Sequence, residues 1–138
     1  MRLRSAGIMG AGETQMVKLV ILIPPLENWN AFDEAWPSFL HQVESMPGLR
    51  REATSHVDTI LYGLASISRV HELFFDSLQA AQQAMASPQG QEAGKLLQMM
   101  TRGQVTLFLA DHKEDDIDNI RKHQKQQSPA DSQESGAA

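Results

Sequence analysis

The chain has 138 residues, 41% of them hydrophobic and 21% charged, with a formal net charge of -5 and no cysteine. That length suits one domain with a modest core, the composition argues against a disordered chain, and no apolar run approaches the roughly 20 residues that a bilayer span needs. The negative balance, without a basic stripe interleaved with aromatics, excludes general attraction to nucleic acid, and the absence of cysteine removes disulfides, thiolate nucleophiles and thiolate metal sites, in keeping with a cytoplasmic protein.

Residues 1–15, MRLRSAGIMGAGETQ, are rich in glycine and small side chains and are expected to form a flexible leader. The patterned part of the chain spans residues 16–111. It begins with Val17 to Ile23, a nearly continuous apolar run that predicts a central strand covered on both faces, ended by Pro24-Pro25. Phe32, Trp36, Phe39 or Leu40, Val43 and Met46 then recur at spacings of three and four, which predicts a helix with one apolar stripe against a sheet. Pro37 interrupts that stripe, so the helix is expected either to kink there or to become regular only after it. Leu49 to Thr59 reads as a long strand with Arg50, Glu52, Thr54, His56 and Asp58 alternating onto one face.

Val70 to Phe75 forms the third expected strand, followed by Asp76-Ser77 as a cap for a helix that presents Leu78, Ala81 and Met85 to the core. Ser87 caps another helical segment with Pro88 at its first position, and Ala93, Leu96, Leu97 and Met100 continue the stripe. Met85, Met99 and Met100 read as gap-filling core. Gly103 leads into the last strand, Val105 to Ala110. The order is β-α-β-β-α-β, an α+β domain. Residues 112–138 are polar and expected to be largely disordered, apart from a short helix over Glu114 to Gln126 around Ile117 and Ile120, with disorder from Ser128 onward.

Taken in order, KLVILIPP, AFDEAW, MPGLRRE, HELFFDSLQAAQQAMASPQGQ and VTLFLAD resemble the EthD family over Val17 to about Asp111. The resemblance implies a ferredoxin-like domain whose sheets pair face to face in a homodimer, the dimeric α/β barrel. The wider superfamily that this implies includes isomerases, cofactor-free oxygenases, cyclases and haem-degrading enzymes, so the fold leaves the chemistry open. Many members carry a histidine on the first helix, two residues before a proline, that faces a pocket. Counting back from Pro47-Gly48 puts that position at Phe39, and counting forward from Phe32-Asp33 puts it at Leu40. His41 stands one or two positions away, and a two-residue offset rotates a helical side chain by about 200°.

The remaining candidate groups come from the residues themselves. His56 and Asp58, two apart on the expected strand, suit a carboxylate-oriented imidazole acting as general base, or else a solvated sheet edge. His71 shares a face with Leu73 and Phe75, which predicts partial burial and a hydrogen-bonded core role beside its candidacy as a ligand contact. Lys18, Glu72 and Thr106 fall near the middle of three strands and are expected on one sheet face, as a dimer-locking element or as a polar pocket cluster. Trp36, Phe39 and Tyr62 are candidate walls for an apolar or aromatic ligand, and the segment Ile60 to Ser68 a loop over a pocket mouth. No HxH or HxxxH spacing supports a metal, and no cofactor is expected.

The resulting expectation is a homodimer that binds a small apolar or aromatic metabolite, with acid-base chemistry in which His56 is the base, Asp58 orients it, and His41 or Tyr62 stabilises negative charge. Trp36, Phe39 and His71 are its expected ligand contacts. The alternative is a non-catalytic accessory dimer that binds a protein partner. Neither nucleic acid nor membrane is an expected partner.

Overall fold

The apolar run expected as a central strand is β1 (Thr14–Ile23), which begins three residues earlier than Val17. It is followed by α1 (Trp29–Glu44), β2 (Arg51–His56), β3 (Arg69–Phe75), α2 (Leu78–Ala86), α3 (Pro88–Thr101) and β4 (Thr106–Glu114). The computed structural model describes residues 14–118 and 121. Most of the expected leader, and most of the expected C-terminal helix and tail, lie outside the described residues. Met16–Asp111 form one compact unit. The other unit comprises residues 1–15 and 112–138, where His112 Nε2 stands 2.8 Å from Glu114 Oε1.

The four strands form one antiparallel sheet in the order β2-β3-β1-β4, the ferredoxin-like arrangement. Register assigns the side chains to two faces. Val17, Leu19 and Ile21 of β1 oppose Phe75, Leu73 and His71 of β3, and these residues are buried beneath the helices with Phe32, Phe39 and Val43 of α1. The other face carries Lys18, Val20, Glu72 and Phe74. Lys18 Nζ meets Glu72 Oε2 at 2.6 Å, and the Arg51 guanidinium lies 4.1 Å from the centre of the Phe74 ring.

Local chemistry starts each helix where the residues predict. Asn28, Ser77 and Ser87 each accept a hydrogen bond from the backbone N–H three residues on, which satisfies one of the otherwise orphaned donors of the first turn. Pro37 lies inside α1, and the helix runs unbroken from Trp29 to Glu44. The lost backbone bond is offset by the burial of Phe32, Phe39 and Val43 along the stripe. β2 is shorter than expected, ending at His56; one further backbone bond, from Val57 N–H to the Ser68 carbonyl, follows before the chain enters the loop that contains Asp58 and Thr59. Of the residues expected to face the core from α2, Ala81 is buried and Met85 packs partly buried against the core, while Leu78 is half-exposed and Ala84 is buried in addition; of the other two methionines, Met100 is buried and Met99 is 65% exposed. No helix among the described residues is long and apolar enough to cross a membrane.

Candidate functional site

Along α1, Trp29, Phe32, Trp36 and Phe39 form a column with ring centroids 5.1, 5.3 and 5.2 Å apart, the first pair edge-on, the second stacked and the third tilted. Spacings of three and four place these rings on one helical face, above the sheet. His71 on β3 is the polar end of this column. Its ring lies 5.2 Å from Trp36 and 6.0 Å from Phe39, both edge-on, and the residue is 1% exposed.

A buried imidazole must find partners for both nitrogens. Cross-strand register supplies them, because Thr54 pairs with His71 and Glu52 pairs with Leu73, one step along the same face. Thr54 Oγ1 stands 2.8 Å from Nδ1, and Glu52 Oε2 stands 3.0 Å from Nε2. Glu52 in turn shares a hydrogen bond with Glu44 at the end of α1. The polar chain thus runs Thr54, His71, Glu52, Glu44, from the edge strand to the helix C-terminus.

Burial pushes the Glu52 carboxyl up to about 7, reinforced by the hydrogen bond to Glu44 and by the negative charge of Glu44. Burial likewise pulls the His71 imidazole down to about 4, against the opposing pull of the Glu72 and Glu44 charges. Near neutral pH the imidazole is therefore neutral and Glu52 is close to half-protonated. Two proton arrangements satisfy the chain. In one, the Thr54 hydroxyl donates to Nδ1 and Nε2–H donates to ionised Glu52; in the other, protonated Glu52 donates to Nε2 and Nδ1–H donates to Thr54. The second arrangement holds one proton more than the first, so passing from one to the other takes up or releases a proton at Glu52.

Beside the ring column lies a cavity of about 100 Å³ between sheet and helices. Leu19, Ile21 and Leu73 form its floor, Phe39, Val43 and Met46 one wall, and Met85, Leu97 and Leu107 another. Gly90 and Gly94, one turn apart on α3, complete it. The two glycines serve different needs. A Cβ on Gly90 would meet the backbone oxygens of Ala84 and Met85, the latter at 2.6 Å, so the helix can pass this close only with glycine there. A Cβ on Gly94 would meet nothing within 4 Å, so its missing side chain leaves room.

Of the residues singled out in the sequence, Trp36, Phe39 and His71 are brought together, and Phe39 also lines the cavity. His41, His56, Asp58 and Tyr62 are not part of this constellation. His41 is exposed on α1, His56 is exposed at the end of β2, and Asp58 lies past the strand, so the alternation that would pair it with His56 stops short of it. Tyr62 is 97% exposed in the loop between β2 and β3. Lys18 and Glu72 do share a sheet face and pair there, while Thr106 is exposed. Glu44 and Glu52 escape sequence reading. The signal that finds Glu52 is the antiparallel register of β2 against β3, which sets Glu52 and Thr54 around His71; Glu44, on α1, is found only from the packing of helix on sheet. Among the described residues no group of histidines and carboxylates is arranged to hold a metal ion.

No family model matches the chain. An uncharacterized 11.0 kDa protein from the thcB-thcC intergenic region of Rhodococcus erythropolis is 33% identical over 82 residues, covering 59% of this chain and 80% of that protein. Among solved structures, an ethyl tert-butyl ether D (EthD) family protein from Bacillus halodurans superposes with a TM-score of 0.63 at 27% identity, over 69% of this chain and 96% of its own. The chain belongs to the EthD family. A dimeric ferredoxin-like protein from Jannaschia sp. superposes on this EthD chain with a TM-score of 0.54 at 18% identity, covering 70% of it and 98% of its own length. SnoaB, a cofactor-independent oxygenase from Streptomyces nogalater, reaches 0.50 at 17% identity over 74% of this chain and 92% of its own. These last two likenesses establish the shared fold alone.

Proposed function

We propose that this EthD protein is a homodimer that binds a small apolar molecule in the cavity between its sheet and helices. The observation that carries the reading is the cavity itself, walled by aliphatic, thioether and aromatic side chains and by two glycines of α3. Its size sets the ligand. A cavity of about 150 Å³ takes a benzene ring, so about 100 Å³ suits an alkyl group of about four carbons, and an aromatic ring enters only if Phe39 or a methionine yields. Burying four methylenes contributes about 3 kcal/mol, which points to Kd values near or above millimolar for the alkyl part alone. Dimerisation is supported by a protein of the same fold that is itself dimeric, and the sheet face bearing Lys18 and Glu72, opposite the helices, is the surface proposed for it.

The test uses Met46 and Met85, whose side chains line the cavity. Titrating methyl-labelled protein with 1-pentanol should shift both methyl signals in a saturable way while the exposed Met99 stays still. Unmoved Met46 and Met85 signals would sink the reading.

A second reading, acid-base catalysis, is favoured by one observation, the Glu52 carboxyl held near pH 7 in a hydrogen-bonded chain with a neutral imidazole. In this reading the role expected of His56 passes to Glu52 and His71, with Thr54 at the open end of the chain. Activity on any substrate would then follow an ionisation near pH 7 that Glu52→Gln abolishes. A pH profile unchanged by that substitution would exclude it.

A further inference from the structure

The apolar cavity is not closed toward α3 and β4. An open groove of about 300 Å³ adjoins it, and the two share Gly90, Gly94, Leu97 and Leu107 as common walls. The chemistry changes across those walls, because the groove adds Gln91, Lys95 and Gln98 to its lining. Gly94 lies at the partition, and since a Cβ there would meet nothing within 4 Å, the passage stays open for want of a side chain at this position. The Gln91 amide is tethered by its hydrogen bond to the Met85 carbonyl at 3.3 Å, and Lys95 and Gln98 add further donors toward a ligand. Lys95 is exposed and has no ion-pair partner among the described residues.

Resting on the cavity reading above, we infer that cavity and groove form one two-part site for a short-chain alkyl carboxylate. About four carbons fill the inner part, by the same scaling from a benzene-sized cavity. The carboxylate lies in the groove, where the Lys95 ammonium and the Gln98 amide donate to it. The N-terminus of α3 is not the anion site, because Ser87 already accepts from both Gly90 N and Gln91 N. A fully apolar ligand leaves Lys95 unused, and a ligand with its charge inside the cavity would lose hydration with no partner to replace it.

The charge preference is modest because Lys95 is exposed and the chain as a whole is negative, at -5. A single exposed pair supports a preference of about fivefold, weakened by salt. The experiment compares pentanoate with 1-pentanol on the full chain, read through the Met46 and Met85 methyl signals. Both ligands should saturate, with the Kd of pentanoate about fivefold lower. Lys95→Gln should remove that preference without changing the Kd of 1-pentanol, and Gly94→Leu should abolish binding of both. Equal affinity for the two ligands, or a preference that survives Lys95→Gln, overturns the carboxylate assignment and leaves the cavity reading standing. If neither ligand moves the methyl signals, the cavity reading fails and this inference fails with it.

Discussion

Glu52 Oε2 lies 3.0 Å from His71 Nε2, and burial shifts the two groups in opposite directions, the carboxyl up and the imidazole down. His71, lowered from 6.5 to about 4, contributes stability that is present above pH 6.5 and lost as pH falls through 4. Glu52, raised from 4.5 to about 7, contributes stability that is present below pH 4.5 and lost as pH rises through 7. Between 4.5 and 6.5 the unfolded chain carries the proton on His71 and the folded chain carries it on Glu52, so both states bind the same number. The network should therefore impose almost no pH dependence in that window.

Single substitutions should unmask the two opposed slopes. Glu52→Gln should leave a protein whose stability rises from pH 4 to 6.5 by about 2 kcal/mol. His71→Gln should leave one whose stability falls from pH 4.5 to 7 by about 1 kcal/mol, the smaller figure because 23% of the Glu52 side chain remains in contact with water. Urea denaturation across pH measures both, and slopes of the same sign would contradict the assignment.

The two glycines that line the cavity should respond oppositely to one substitution. Gly94→Ala puts its Cβ into open space and should stabilise by about 0.7 kcal/mol through helix propensity. Gly90→Ala drives a Cβ against the Ala84 and Met85 carbonyls, which cannot retreat without moving backbone, and should destabilise by about 2 kcal/mol. Thermal unfolding of the pair decides, and equal effects would show that α2 and α3 do not pass this closely.

Lys18 and Glu72 keep 21% of their side-chain surface exposed while meeting at 2.6 Å. Lys18→Glu sets two carboxylates together and should cost about 2 kcal/mol, with most of the loss recovered in the Lys18→Glu, Glu72→Lys double variant. If the same face joins two protomers, the single variant should also shift sedimentation toward monomer and the double variant should restore the dimer. A single variant that sediments as wild type would place the dimer contact elsewhere.

Leu61, Tyr62 and Leu64 are 93%, 97% and 102% exposed, so the folded protomer gains almost nothing from them. Replacing Tyr62 by Ser should change protomer stability by less than about 0.5 kcal/mol. Pentanol binding should hold within twofold. A larger loss of binding would return Tyr62 to the ligand site.

Much of the candidate site was hidden for one physical reason. His71 was readable as a buried, hydrogen-bonded residue because alternation with Leu73 and Phe75 set its face. Its partners were not, because the loop 57–68 between β2 and β3 is too long for turn type to set the register, as it would in a two-residue hairpin. The same uncertainty gave Asp58 to a strand that ends at His56. The cavity was equally silent in the sequence, since Gly90 and Gly94 look alike as helix breakers, and only the neighbouring backbone separates close packing from open space.

Periodicity and capping chemistry by themselves determined the element order, the apolar stripe of α1, the central position of β1 and the starts at Ser77 and Ser87, because each depends on residues a few positions apart. Tertiary structure alone decided that α1 continues through Pro37, that Glu52 and Glu44 join His71, and that space remains beside Phe39. Those outcomes depend on side chains distant in sequence competing for the same volume and the same protons, and local pattern carries no information about that competition.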